Sequence, residues 1–210
     1  GVYTCDPRVV PDARKIDVIA YDELLEMASS GSKVMQSRSV EFAKKFKVPF
    51  EVRSSFNNNR GTIVKEESIG LENVVVRGIS LERKQAKVTI SNVPDKPGSA
   101  SRIFTALAES NVIIDVIVQN VSVSGATDIS FTMSADELEK VGSIIDRIAG
   151  EVGAGEVLKK SGIAKLSVVG IGMRSHSGVA ATLIECLGNG GVNIQMISTS
   201  EIKTSVVIDE

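Results

Sequence analysis

The chain has 210 residues, 24 basic and 26 acidic, with a net charge of -2, and that length accommodates two or three small domains with cores of their own. No basic block tracks a phosphate backbone, aromatics make up 4% and tryptophan is absent, which argues against a nucleic-acid partner. No apolar run approaches the ~20 residues of a membrane helix, so no membrane partner is expected. Cys5 and Cys186 form no CxxC pair, which predicts two small buried hydrophobes in a reducing cytosol and a cytoplasmic protein. No secretory signal is read, and a first residue that is Gly rather than Met reads as a fragment or trimmed product.

In chain order, a loop with Asp6-Pro7-Arg8 and Pro11 leads to Tyr21-Asp-Glu-Leu-Leu-Glu-Met-Ala28, where Leu24, Leu25 and Ala28 share a helical face. Gly31 breaks it. A second helix is predicted over Ser39–Phe46, with Val40, Ala43 and Phe46 on one side and Lys44-Lys45 at its end. Val48–Ser54 alternates like a strand whose Pro49 belongs at an edge, and Asn57-Asn-Asn-Arg-Gly61 is a turn cluster. This order suits the closing part of an α/β domain over residues 1–64, with a polar linker at 65–71 that includes Lys65-Glu-Glu-Ser68.

Beyond the linker a βαβ pattern occurs twice. The first copy reads Ala86–Asn92, Val93-Pro-Asp-Lys-Pro-Gly98, a helix and Val112–Ile117. The second reads Ala164–Gly170, Met173-Arg-Ser-His-Ser-Gly178, a helix and Val192–Ile197. Gly98 and Gly178 are 80 positions apart, and so are Val112/Val192, Ile114/Ile194 and Ile117/Ile197. A repeat in register points to two copies of one ligand-sized module. The first helix carries a stripe of Ala100, Ile103, Phe104, Leu107 and Ala108. Strands near 112–121 and 126–133 follow, then the capping box Ser134-Ala-Asp-Glu137 and a helix with Leu138, Val141, Ile144, Ile145 and Ile148 inward. Val157-Leu158 supplies a last strand. The order βαββαβ is a ferredoxin-like sandwich over 84–161, and the fold class is α+β. The second copy stops at its third strand, Ser205–Ile208, while Asn73–Leu81 is a strand with no helix after it. Residues 72–83 therefore join 162–210, and the first module is inserted into the second.

The chemistry concentrates in the loops that open the helices. Gly98 lets backbone approach a ligand, the N–H groups at Ser99 and Ala100 can hold a carboxylate, and Asp95 is placed to meet an ammonium, so the site suits a free amino acid. A plain turn with Asp95 as a cap is an equal alternative. Gln119 and Asn120 face the same pocket or solvent. Ser175, His176 and Ser177 occupy the equivalent loop, and Ser198-Thr-Ser-Glu201 ends the equivalent strand. His176, the one histidine, has no ligand-spaced acidic or cysteine neighbours and reads as a solvated loop residue rather than a metal ligand. No GxSxG turn, phosphate loop or complete catalytic constellation is present.

Gly1-Val-Tyr-Thr-Cys-Asp-Pro-Arg8, Ala28-Ser-Ser-Gly-Ser-Lys-Val34, Arg38-Ser-Val-Glu-Phe-Ala43, Ser54-Ser-Phe56 and Gly61-Thr62 resemble the end of the aspartate kinase catalytic domain. Val93–Gly98, Gln119-Asn-Val-Ser122, Thr127-Asp-Ile129, Gly172–Gly178, Val192–Ile194 and Ile197–Glu201 resemble that family's two ACT domains, one of which is inserted into the other. The likeness implies an ATP-dependent phosphotransferase, working with Mg2+, that phosphorylates L-aspartate. Tyr3, Asp6, Arg8 and Lys33 match positions around ATP, where charge neutralisation supports phosphoryl transfer. Cys5 departs mildly from the family pattern. The lysine-bearing glycine loop and the aspartate-binding residues are not in this sequence, so no catalytic residue is assigned and the chain alone is expected to be inactive.

The resemblance also implies feedback effectors, L-lysine and/or L-threonine. They would be held by Asp95, Gly98, Ser99, Ala100, Gln119, Asn120, Ser122 and Thr127 of the first module. Met173, Ser175, His176, Asn193, Ile194, Ser198 and Glu201 would serve in the second. Further partners implied are a second copy, paired through ACT domains, and the rest of the kinase domain. A separately made regulatory subunit, or an ACT sensor on another biosynthetic enzyme, stays open as an alternative.

Overall fold

Strand β1 (Val18–Ala20) pairs in parallel with β3 (Thr62–Lys65), and β2 (Phe50–Val52) pairs antiparallel with β3, giving the order β1-β3-β2. β2 is an edge, where Pro49, lacking an N–H, is tolerated. Helices α1 (Tyr21–Met27) and α2 (Ser37–Lys45) pack beside this sheet, and Gly31, at φ 93°, ends the wide turn Ala28–Ser32 between them. Ile19, Leu24, Met27, Val40 and Val64 form the local core. Two features differ from the sequence reading. Lys65, placed in the linker, completes β3, and the buried face of α1 takes in Tyr21, Glu23 and Met27 along with Leu24.

This computed structural model describes residues 1–32, 34–66, 74–120 and 125–210. They form two units, Gly1–Glu82 with Lys165–Asp209, and Arg83–Ala164 with Glu210. Strand β4 (Gly78–Pro94) and strand β7 (Val157–Val169) each contribute one segment to both. Each joins two strands that sequence reading separates at Arg83-Lys84 and at Gly162. Lys84 and Gly162 take left-handed conformations, φ 57° and 71°, so a turn-like residue sits inside each strand without ending it.

The 83–164 unit is a complete βαββαβ sandwich. Its strands β5 (Ile117–Gln119) and β6 (Ala126–Ser134) give the order β5-β6-β4-β7, covered by α3 (Ser99–Glu109) and α4 (Ala135–Val152). Only Ile117–Gln119 of the predicted strand 112–121 is a strand within the described residues. Phe131, fully buried, meets Phe104 edge-on at 5.5 Å among Ile90, Ile103, Leu107, Ile129 and Ile145. Ala108, read as part of the α3 stripe, is exposed; Ala106 packs instead. The predicted capping box forms: the Glu137 N–H donates to Ser134 Oγ at 3.2 Å, and the Ser134 N–H donates to Glu137 Oε2 at 3.3 Å.

In the other unit the 78–82 part of β4 edges a sheet of order β4-β7-β9-β8, with β8 (Ile194–Thr199) and β9 (Lys203–Asp209) antiparallel. One helix, α5 (Val179–Asn189), accompanies it and buries no residue completely. Both predicted buried cysteines are corrected: Cys186 lies exposed on α5 and Cys5 is half-buried, each free. Among the described residues no helix is long and apolar enough to cross a membrane.

Candidate functional site

In the first module, Asp95, Gly98, Ser99, Ala100, Gln119 and Thr127 line one cavity of about 370 Å³, with Lys96 and Ile129 in its wall. Local chemistry builds it. Gly98 sits at φ 97° as the residue before α3, a conformation costly for other side chains, and no atom lies within 4 Å of where its Cβ would be. No side chain caps α3, so Asp95 is not the cap that sequence left possible. Asp95 and the head of α3 border the same cavity; the Ser99 N–H already donates to the Lys96 carbonyl at 3.2 Å, which leaves the next turn positions to meet a ligand. Thr127 lies opposite Val93 in the sheet, and its hydroxyl donates to the Asn120 carbonyl. Asn120 thus supports the wall through its backbone and does not line it. Ser122 lies outside the described residues.

The second module repeats the turn. Gly178, at φ 96° and ψ -8°, precedes α5 as Gly98, at φ 97° and ψ -17°, precedes α3. Here a short 3-10 turn, Ile171–Arg174, carries Met173 ahead of the loop. His176 Nδ1 lies 2.9 Å from the Gly172 carbonyl, and since a carbonyl only accepts, that nitrogen carries the proton. Ser175 Oγ is 3.2 Å from the same ring nitrogen. Glu201 pairs with Arg174 at 3.4 Å. Ser198 sits opposite Ser205 and Ile194 opposite Ile208, and Asn193 precedes β8. His176, Asn193, Ser198 and Glu201 are exposed, so this set borders an open surface.

Of the residues matched to ATP, Asp6 and Arg8 are brought together: Arg8 Nε and a second guanidinium nitrogen bond the carboxylate at 3.0 and 2.8 Å, and the Arg8 N–H adds a third bond at 2.9 Å. Tyr3 forms a bridge with Lys15, and Lys33 lies outside the described residues. Hydrogen bonds from the Arg8 side chain, then its backbone, hold the Asp6 carboxyl down at about 2. A carboxyl lowered on folding adds stability above its unfolded value near 3.9 and loses it as pH falls towards about 2. NMR titration is expected to show that low midpoint in the wild type and a return towards ~3.9 in Arg8→Ala. Among the described residues no three His, Cys, Asp or Glu side chains converge to hold a metal ion.

One cluster escaped the sequence reading. Glu23, 0% exposed, accepts from the Ala20 N–H at 3.2 Å, the Ile171 N–H at 3.2 Å and Arg77 Nε at 3.2 Å. In sequence it is one acidic residue beside Asp22, and two of its three partners lie 54 and 148 positions away, so no local pattern announces the cluster.

Comparison with known proteins matches residues 1–54 to the amino acid kinase family, and residues 88–150 and 166–210 to two ACT domain models. Aspartate kinase of Pseudomonas putida is 51% identical over all of this chain, which spans 51% of that protein. The chain thus spans about half the length of the curated relatives it matches. Among solved structures, that of the aspartokinase alpha and beta subunits is 44% identical, covering 64% of this chain and 88% of that one with a TM-score of 0.60. Escherichia coli aspartokinase III in complex with lysine and aspartate (T-state) is 26% identical, covering 100% of this chain and 46% of that one with a TM-score of 0.75. The chain belongs to the aspartate kinase family and carries the end of its catalytic domain together with its ACT region.

Proposed function

We propose that this chain is the feedback-sensing part of an ATP-dependent aspartate kinase, binding L-lysine and/or L-threonine. The observation that carries this reading is the cavity at Asp95–Ala100, where an acidic residue and the head of α3 border a volume of about 370 Å³. The ammonium of a free amino acid meets Asp95, and its carboxylate meets the first turn of α3. Gln119 and Thr127 contact its side chain, and Ser122 matches a further effector position of the family. The Gly172–Gly178 loop, with Asn193, Ile194, Ser198 and Glu201, forms the second sensing surface. Residues 1–65 are the end of the kinase domain, 66–71 the linker, 84–161 the inserted ACT domain, and 72–83 with 162–210 the other. ACT domains of two copies pair, and effector binding favours one arrangement of them, which biases the kinase towards an inactive state by about 1–3 kcal/mol.

Tyr3, Asp6, Arg8 and Lys33 border ATP, whose Mg2+ travels with its phosphates in the parent enzyme. Asp6 holds the Arg8 guanidinium in a fixed orientation from one side, and the side chain remains 85% exposed, as a phosphate-facing cation requires. A second reading, a separately made regulatory subunit, draws on the 88% coverage of a chain from the alpha and beta subunit structure. The kinase match over residues 1–54 favours the first.

Calorimetric titration with L-lysine, L-threonine and each in the presence of the other tests the reading. Saturable binding of either is the expected result. Absence of heat with both, from folded and paired protein, would refute it.

A further inference from the structure

We propose that Glu23 is a positioning residue that transmits the state of the second ACT loop to the kinase segment, an inference that rests on the feedback reading above. Its carboxylate joins three chain segments inside one unit. The Ile171 N–H opens the turn leading into Met173, Ser175 and His176, and it donates to Glu23 Oε1 at 3.2 Å. Arg77 donates from the stretch entering β4, at 3.2 and 3.3 Å to the two oxygens. The Ala20 N–H donates at the head of α1. The carboxylate is fully buried and the Arg77 side chain is 10% exposed, so a shift of any partner leaves a buried charge short of a bond.

The surroundings extend these links in both directions. Ala20 packs against Ile171 and Ile202, and Ile202 follows Glu201 of the sensing surface. Lys203 reaches back to Glu26 of α1 at 2.7 Å. On the other side the Arg77 N–H bonds the Val169 carbonyl, and the Ile79 N–H bonds Thr4 O, next to Tyr3, both at 2.7 Å. Movement of the Ile171 N–H under a bound effector therefore acts on α1 and on the Tyr3-Thr4 segment through one side chain.

The test uses the intact kinase that contains this chain, carrying Glu23→Gln or, as a milder second variant, Arg77→Lys, which keeps the charge but loses the fork. Effector Kd is measured by calorimetry with and without saturating Mg·ATP, aspartate being omitted to prevent turnover. Coupling between two sites is reciprocal, so the ratio of these constants measures it, and a feedback-inhibited wild type is expected to show a ratio of about 5–150. Glu23→Gln is expected to bring the ratio close to 1 while effector still binds; Arg77→Lys falls between. A residue that only stabilises the fold would lower Tm and leave the ratio at the wild-type value, and that result overturns the inference alone. A wild-type ratio of 1 with no inhibition by either amino acid refutes the feedback reading and the inference with it.

Discussion

Replacing Phe131 with alanine is expected to destabilise the 83–164 unit by about 3–5 kcal/mol, as measured by denaturant unfolding followed by circular dichroism. The ring, on β6, is fully buried in one core with residues of α3 and α4, and its edge-to-face partner Phe104 approaches at 5.5 Å. Truncation removes the transfer energy of the ring and leaves a void that close-packed neighbours such as Ile103, Ile129 and Ile145 fill only in part. Ile129, two residues along β6, also lines the cavity at Asp95–Ala100, so affinity for the proposed effector should fall as well. A loss under ~1.5 kcal/mol would mean that Phe104 collapses into the space and that the core is not organised around this pair.

The second large effect concerns Thr127. It is 5% exposed, lines the cavity and gives its hydroxyl hydrogen to the Asn120 carbonyl. Thr127→Met adds bulk where the effector side chain would lie and removes that bond. Effector affinity is expected to fall about a hundredfold, ~2.7 kcal/mol, with Tm little changed. The intact enzyme should then stay active at lysine and threonine concentrations that silence the wild type. Thr127→Ser, which keeps the hydroxyl and shrinks the side chain, is the control and should retain sensitivity. Full sensitivity in Thr127→Met would show that the effector binds elsewhere.

Much of this was legible in the order of residues. Gly98 and Gly178, 80 positions apart, adopt nearly the same left-handed backbone because each ends a strand-to-helix loop that leaves no alternative cheap to other side chains. Ser134 and Glu137 announced a helix start, since each satisfies an N–H of the other's end. The six cavity residues came together because a βα loop and the adjacent strands converge at one end of the sandwich. Other features depended on partners far along the chain. Arg83-Lys84 and Gly162 look like strand breaks, yet the strands run through them because neighbours on the sheet continue to pair. Glu23 does not stand out in the sequence, because a charged residue in a helix usually faces water and its Arg77 and Ile171 partners lie 54 and 148 positions away. Cys186 is exposed because α5 buries none of its residues completely, so its faces meet water where a packed helix would hide them.

The division of the sheet that contains β9 between residues 78–82 and 165–209 also sets a timetable for synthesis. The 78–82 strand leaves the ribosome with none of its own sheet yet made, and at 5–20 residues per second its partners arrive on the order of ten seconds later. During that interval the 83–164 sandwich can complete itself, which brings β4 and β7 side by side. The long loop that the later sheet must close is then already closed by a folded domain, so its entropy cost falls on the first folding event. An early stall or a slow first sandwich would instead leave a bare strand edge waiting, open to the wrong partner.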